Sequence, residues 1–219
     1  MANPIQSTFI QSGAIISTGA DLPTPVVIAF QYNPDTLRRT LNPQMAGGEE
    51  NERTEAVRFT GAPIQTIAID VELDATDALN AGDSAAETMG ILPQMSQLEL
   101  LAYPSLSAVQ KNQSAISQGV MEVAPLTAPR CLFVWGSKRV LPVRLTSFEI
   151  TEELFDRWLR PIRATMTLHM RVLNYSDLDS SNKEFHDFSV YQQNLAAFAS
   201  HAKKVQNPKT TTGVNPSTY

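Results

Sequence analysis

Cysteine occurs once in this 219-residue chain, at Cys131, and histidine only three times. A single thiol excludes an intramolecular disulfide and any paired-cysteine zinc motif, and it suits folding in a reducing cytoplasm. No stretch reaches the ~20 apolar residues that a membrane helix needs. The opening residues MANPIQSTFIQSGAIIST hold no basic segment followed by a long apolar run, so no signal peptide is expected. Glycine-rich phosphate loops, HExxH and GxSxG are all missing. A net charge of −5 gives no whole-chain argument for nucleic acid or an anionic membrane as partner.

What is present is β pattern around a real core, with hydrophobic content at 42%. STFIQSGAIIST and PVVIAFQYNP (25–34) read as strands bounded by turn formers. Asn33-Pro34 bends the chain, and 42–54 reads as an exposed loop. From Ile67 the sequence alternates, with Ile67, Ile69, Val71 and Leu73 on one face and Ala68, Asp70, Glu72 and Asp74 on the other. Residues 77–90 read as a loop. ILPQMSQLELLAYP (91–104) switches to helical spacing, with Pro93 near its start and Pro104 as its stop. The run 105–124 reads as a loop or a weak helix.

RCLFVWG and RVLPVRLTSFEITEELF predict two strands around Gly136-Ser137-Lys138. The apolar phase slips between Val143/Leu145 and Phe148/Ile150, as a β-bulge requires. RATMTLHMRVL (163–173) alternates again. The class is therefore mainly antiparallel β, a sandwich or barrel, with one central helix. Ser181 and Glu184 match a capping box. Phe185, Phe188, Tyr191, Leu195, Phe198 and Ala202 then follow at spacings of three and four, Lys203 and Lys204 suit the C-terminal dipole, and Asn207-Pro208 ends the helix. A tail, KTTTGVNPSTY, reads as disordered. The expected division is 1–175 for the β domain and 176–219 for helix and tail.

Chemistry has little support. Cys131 with His169 offers a nucleophile and a base, but the thiol sits in an apolar strand where it packs as a hydrophobe, and no third group orients the pair. Asp70, Glu72, Asp74 and Asp77 faintly resemble a calcium loop, yet Ala75 and Ala81 stand where glycine and glutamate are needed. Glu149, Glu152, Glu153 and Asp156 give carboxylate pairs for a glycosidase, although surface acids at a strand end are commoner. No catalytic, metal or cofactor site is expected.

Charge layout says more. Asp70, Glu72, Asp74, Asp77, Asp83, Glu87 and Glu99 occupy 59–110 without a base, whereas Arg130, Lys138, Arg139, Arg144, Arg157, Arg160, Arg163 and Arg171 crowd 130–171. Either these strands neutralise one another inside the subunit, or an acidic edge meets a basic edge of a second copy, head to tail. The C-terminal helix likewise folds back on its own β domain or docks on a partner as a helix in a groove.

FQYNPDTL, the long strand ending ELDATD, the helix ILPQMSQLELL, the strand CLFVWG and LTSFEITEELFDRWLRPIRATMTLHMRVL occur in an order that resembles the tube-protein family of contractile injection systems. Roughly residues 8–173 carry the resemblance. In particular they resemble its baseplate member, which joins spike hub to inner tube and usually carries a C-terminal LysM domain. The resemblance implies a tube-type antiparallel β-barrel, or two packed sheets, with a flanking helix. It also implies a hexameric ring with a structural role and, as partners, the spike hub, the inner tube and other baseplate proteins. It supplies no catalytic residues. Two departures stand out. Relatives carry a glycine-bearing turn where this chain has Arg157-Trp158-Leu159-Arg160, which marks Trp158 as a contact residue. Residues 174–219 are too short for LysM, so peptidoglycan binding is not inherited. Asp70, Glu72, Asp74, Arg157, Trp158, Arg160 and Arg163 are the subunit-interface candidates, and Phe185, Phe188, Tyr191, Leu195 and Phe198 the partner-helix candidates. The alternatives are a phage tail tube or baseplate protein, and a stand-alone β-barrel that binds a ligand.

Overall fold

Two alternating strands that pair antiparallel in register put their apolar residues on one side, and the architecture follows from that. The computed structural model describes residues 11–18, 25–46, 58–119 and 125–202. Its strands are β1 (Ala14–Thr18), β2 (Val26–Ala29), β3 (Leu37–Met45), β4 (Phe59–Asp74), β5 (Arg130–Val134), β6 (Val140–Phe155) and β7 (Pro161–Val172). They form one antiparallel sheet in the order β2-β1-β5-β6-β7-β4-β3. Ile67, Ile69, Val71 and Leu73 of β4 lie beside Met170, Leu168, Met166 and Ala164 of β7. Met166, Leu168 and Met170 are wholly buried, and each such side chain contributes about 1.5–3 kcal/mol.

Mainly β, antiparallel and helix-flanked hold as expected; closure does not. The sheet is a single open one rather than a barrel or two packed sheets, with β2 and β3 as its edges. The reason lies in the helix α3 (Leu92–Glu99). Gln94, Gln97 and Leu98 of α3 line a hollow with Ile28 and Phe30 on one side and Val71 and Leu73 on the other, and Met95 and Leu98 are buried, so α3 covers the gap between β2 and β4. Gln31 bridges the same gap, its Nε2 donating to the Asp74 carbonyl at 2.7 Å and its Oε1 accepting from the Asp74 amide at 3.0 Å.

The expected bulge is present: Leu145 pairs with Met170, then Ser147 with His169, which leaves Thr146 as the extra residue. The Thr146 hydroxyl donates to the His169 carbonyl at 3.1 Å. Past the bulge, Phe148 and Ile150 regain the core side, opposite Leu168 and Met166.

Other expectations needed correction. Residues 77–90 are not a loop but two short helices, α1 (Thr76–Asn80) and α2 (Ser84–Met89). Alanines favour helix, Asp83 caps α2 by accepting from the Ala85 amide, and burial of Ala86 alone leaves no apolar stripe to reveal it. Residues 42–45 belong to β3 instead of a loop; Pro43 is tolerated because β3 is an edge strand with a register shift there. The run after Ser105 is a full helix, α4 (Leu106–Ser117), with no buried residue. The final helix, α5 (Lys183–Ser200), starts behind Asn182 rather than Ser181. Ser181 gives its amide and hydroxyl to Asp179 instead, and Glu184 turns to Arg130, so the capping box does not form. Residues 7–10, 47–54 of the expected loop, Lys203, Lys204, Asn207-Pro208 and the tail lie outside the described residues.

Candidate assembly surfaces

The sheet separates the groups that would have to meet for catalysis. Cys131 is buried on the core face, whereas His169 is exposed on the opposite one. Burial pushes the Cys131 thiol up to about 11, which leaves it protonated and a poor nucleophile at neutral pH. Glu149 and Glu153 share the outer face, Glu152 alternates to the other side, and Asp156 lies in the turn that follows. Asp156 is committed to its own turn. Asp70 accepts from the Thr167 hydroxyl at 2.8 Å, and Asp74 binds the Thr76 amide and Arg163. None of these carboxylates converges on a common point.

The β6–β7 corner is built differently. Leu154 and Leu159 adopt positive φ, 50° and 61°, and so bend the chain without glycine. Asp156 Oδ1 accepts from the amides of Trp158 at 2.7 Å and Arg160 at 3.0 Å, while Oδ2 accepts from Arg160 Nε at 2.6 Å. Arg160 reaches back to the Thr88 carbonyl and ties the corner to α2. Partial desolvation pulls the Asp156 carboxyl upward. The Arg160 amide and guanidinium and the Trp158 amide outweigh it, so its pKa lies below the ordinary carboxylate value.

Trp158 stands between two guanidinium groups, Arg157 at 3.9 Å and Arg160 at 4.5 Å from the ring centre. Such cation–π contacts stiffen a residue that the subunit leaves largely in solvent. It remains 60% exposed, and Leu154, Phe155 and Leu159 beside it are 61%, 49% and 81% exposed. Four large apolar side chains on one hairpin tip make a knob of the kind found at contact surfaces. The sequence marks Trp158 as a contact candidate but not the other three exposed side chains, because Leu154 and Phe155 sit in a strand pattern that normally buries one of each pair.

Below the knob, β6 offers an edge. Its residues Val140–Val143 pair with β5 on one side, and Val143 to Phe155 with β7 on the other. Among the described residues, β6 beyond Val143 is therefore paired on one side only, which leaves a row of backbone donors and acceptors turned outward. β3 is the other long edge, pairing with β4 alone.

The remaining candidates divide. Asp70 and Glu72 stay exposed on the outer face. Asp74 and Arg163 face each other within the chain at 2.6 Å. The Thr76 hydroxyl and amide, ahead of Arg163, hold the Asp74 carboxyl below its ordinary value. The α5 candidates split too. Phe188 and Tyr191 are buried against the sheet, with the Tyr191 hydroxyl accepting from Arg39 at 2.6 Å. Arg39 also reaches the buried Gln65, whose amide is satisfied when its oxygen points to the guanidinium at 3.0–3.1 Å. Phe185 is half-buried, and Leu195 and Phe198 are 43% and 53% exposed. The helix thus folds back through its first half and presents apolar side chains through its second.

A family model described as contractile injection system tube protein matches residues 17–181. No curated protein matches the chain at a significant level. Among solved structures it is similar to a chain from a structure described as the tail of an empty GTA particle computed with helical refinement and C6 symmetry. The two are 12% identical over 73% of this chain and 90% of that one, with a TM-score of 0.30, too distant to bear on fold or symmetry.

Proposed function

The chain belongs to the contractile injection system tube protein family, and on that premise we propose that it forms a hexameric ring at the baseplate or the start of the inner tube, linking spike hub to tube. The family is a structural one, and the role read here is mechanical and non-catalytic. The observation that carries it is the long one-sided edge of β6 ending in the exposed knob Leu154, Phe155, Trp158 and Leu159. A sheet that is left open needs something on its edges, and a head-to-tail contact between copies, β6 edge and knob of one against the β3 edge of the next, supplies it and closes into a ring. Arg157, Trp158 and Arg160 sit on that contact, while Leu195 and Phe198 of α5 offer a second surface for hub or tube components. Assembly takes place in the cytoplasm as part of a large particle, which is then released outside the cell or anchored to a membrane through other components. None of the described helices is long and apolar enough to cross a membrane.

A phage tail tube or baseplate protein is the neighbouring reading and shares the same ring. A stand-alone ligand-binding module is less favoured, because the hollow that β2, β4 and α3 line is small, about 270 Å³, and opens to solvent. The test is the mass of the purified chain and its appearance in negative stain. Rings of six are expected, and Trp158→Ala is expected to weaken ring formation by about 2 kcal/mol, roughly 30-fold, with the subunit still folded. A chain that stays monomeric at high concentration, or rings indifferent to Trp158→Ala, would overturn the reading.

A further inference from the structure

One apolar stripe on α5 outruns the sheet that it packs on. Phe188, Tyr191, Leu195 and Phe198 recur at spacings of three and four, which places them on one face of the helix. The first two are buried, whereas Leu195 and Phe198 are left half in solvent. Asn194 marks the change: its Nδ2 donates to the Lys138 carbonyl at 3.2 Å, and among the described residues it is the last of α5 to hydrogen-bond the sheet. From there to Ser200 the helix runs on for about 9 Å at the usual rise. No acid or base lies between Phe188 and Ser200, and the sequence that follows holds Lys203, Lys204 and Lys209 without an acidic side chain. The family match ends at residue 181, so the family core does not account for this helix.

A surface of complementary character lies at the far end of β6. Leu79, Ala86, Ile162 and Trp158 line a hollow there with Glu87, and its volume of about 390 Å³ has room for an aromatic side chain. Asp156 is committed to Arg160, which leaves Glu87 exposed and without an ion pair among the described residues. Asp77 of α1 and Asp83 ahead of α2 add to the acidic side, and neither helix carries a base. The chain's own α5 is not the occupant. Asn194 holds it at the turn before β6, and the hollow lies past the other end of that strand.

Hub or tube components compete with a second copy for the exposed half of α5, and continuity favours the copy. Tyr191 of α5 binds Arg39 on the β3 edge at 2.6 Å, so the helix and that edge are tied to each other. The hollow and the knob share Trp158. A copy that lays its β3 edge against the knob therefore brings its α5 into the neighbourhood of the hollow. We infer that α5 reaches across the ring contact: Leu195 and Phe198 of one copy enter the hollow beside Trp158 of the next, with Lys203 and Lys204 near Glu87. The inference rests on the ring reading and gives that contact a second anchor. Its form is a helix in a groove, with an uncharged apolar centre and charges at the rim.

Cross-linking between copies tests it, because the native thiol of Cys131 is buried and does not compete. Ala202→Cys goes into one chain and Ser84→Cys into a tagged second chain; both positions are exposed, one past Phe198 and one a turn before Glu87. Treated together with a short bifunctional thiol reagent, the two are expected to give a mixed product at roughly ten times the yield of either chain alone, since docking raises the local thiol concentration. Phe198→Ser is expected to hold the melting temperature to within about 2 °C and to weaken association roughly tenfold. Combined with Trp158→Ala, its loss is expected to fall short of the product of the two, because both side chains act at one hollow. Rings that give the mixed product only at background yield, that ignore Phe198→Ser, or in which the two losses multiply would overturn the inference and leave the ring reading standing. A chain that stays monomeric and gives no mixed product overturns both.

Discussion

The two halves of β6 belong to one strand and behave as two materials. Val140–Val143 pairs with β5 and meets β7 only at Val143, and Leu141, Pro142 and Val143 are buried. Beyond Val143 the strand pairs on one side, alternates between half-buried and exposed, and ends with Leu154 and Phe155 in solvent. The bulge at Thr146 falls just inside the second half. Folding energy is therefore concentrated in the first half and apolar surface is left over in the second. A single strand thus holds the subunit together at one end and leaves apolar surface in solvent at the other.

The sharpest break of that comparison is a matched pair of substitutions. Leu141 is wholly buried, and Leu141→Ala is expected to cost about 2–5 kcal/mol, lowering the melting temperature by roughly 5–15 °C for a chain of this size. Phe155→Ser, fourteen positions along the same strand, is expected to move it by less than about 2 °C, because exposed substitutions rarely exceed ~0.5 kcal/mol, while weakening association. Thermal unfolding and mass measurements on both variants decide the matter. Equal losses of stability would mean that the second half belongs to the fold after all.

A smaller effect separates corner from core through pH. The pKa of Asp156 is lowered in the folded chain, so its stabilisation is present above the unfolded carboxylate value. It is lost as pH falls through the folded one, a window that begins near pH 4 and runs downward. Asp156→Asn keeps the acceptor for the Trp158 and Arg160 amides but removes the charge facing Arg160. The variant is expected to lose this part of the acid sensitivity, read from melting curves between about pH 3 and pH 7 or from the fluorescence of Trp158. If wild type and variant show the same acid profile, the carboxylate does not hold the corner.

The sequence was readable where one physical signal dominated. Alternation from Ile67 to Leu73 and from Ala164 to Val172 marked β4 and β7, and a phase slip marked the bulge before any register was known. β3 escaped notice because Arg38, Arg39, Asn42 and Pro43 break the pattern of an ordinary strand. At that edge Arg39 is held by Tyr191 and Gln65, residues far away in the chain. The open seam was also illegible, since it depends on α3 and Gln31 spanning the gap between β2 and β4. At the β6–β7 corner, composition pointed to Trp158 and its arginines, whereas the exposure of Leu154, Phe155 and Leu159 beside it needed the geometry of the turn.

Leu159 gives the finest test, because at this residue the subunit and the proposed contact make opposite demands. Its φ of 61° is a left-handed conformation, which costs a side-chain-bearing residue about 1–2 kcal/mol. Glycine would relieve that cost and give back roughly 0.5–1 kcal/mol through the freedom it adds to the unfolded chain. The side chain is 81% exposed, so its removal sacrifices almost no burial within the subunit. Leu159→Gly is therefore expected to raise the melting temperature by about 1–3 °C and at the same time to weaken association. Leu159→Ala keeps the strained φ and removes the same apolar surface, so it should weaken association without the gain in stability. Should both variants associate as wild type does, Leu159 owes its strained position to nothing beyond the turn, and the knob must be redrawn around Trp158, Phe155 and Leu154.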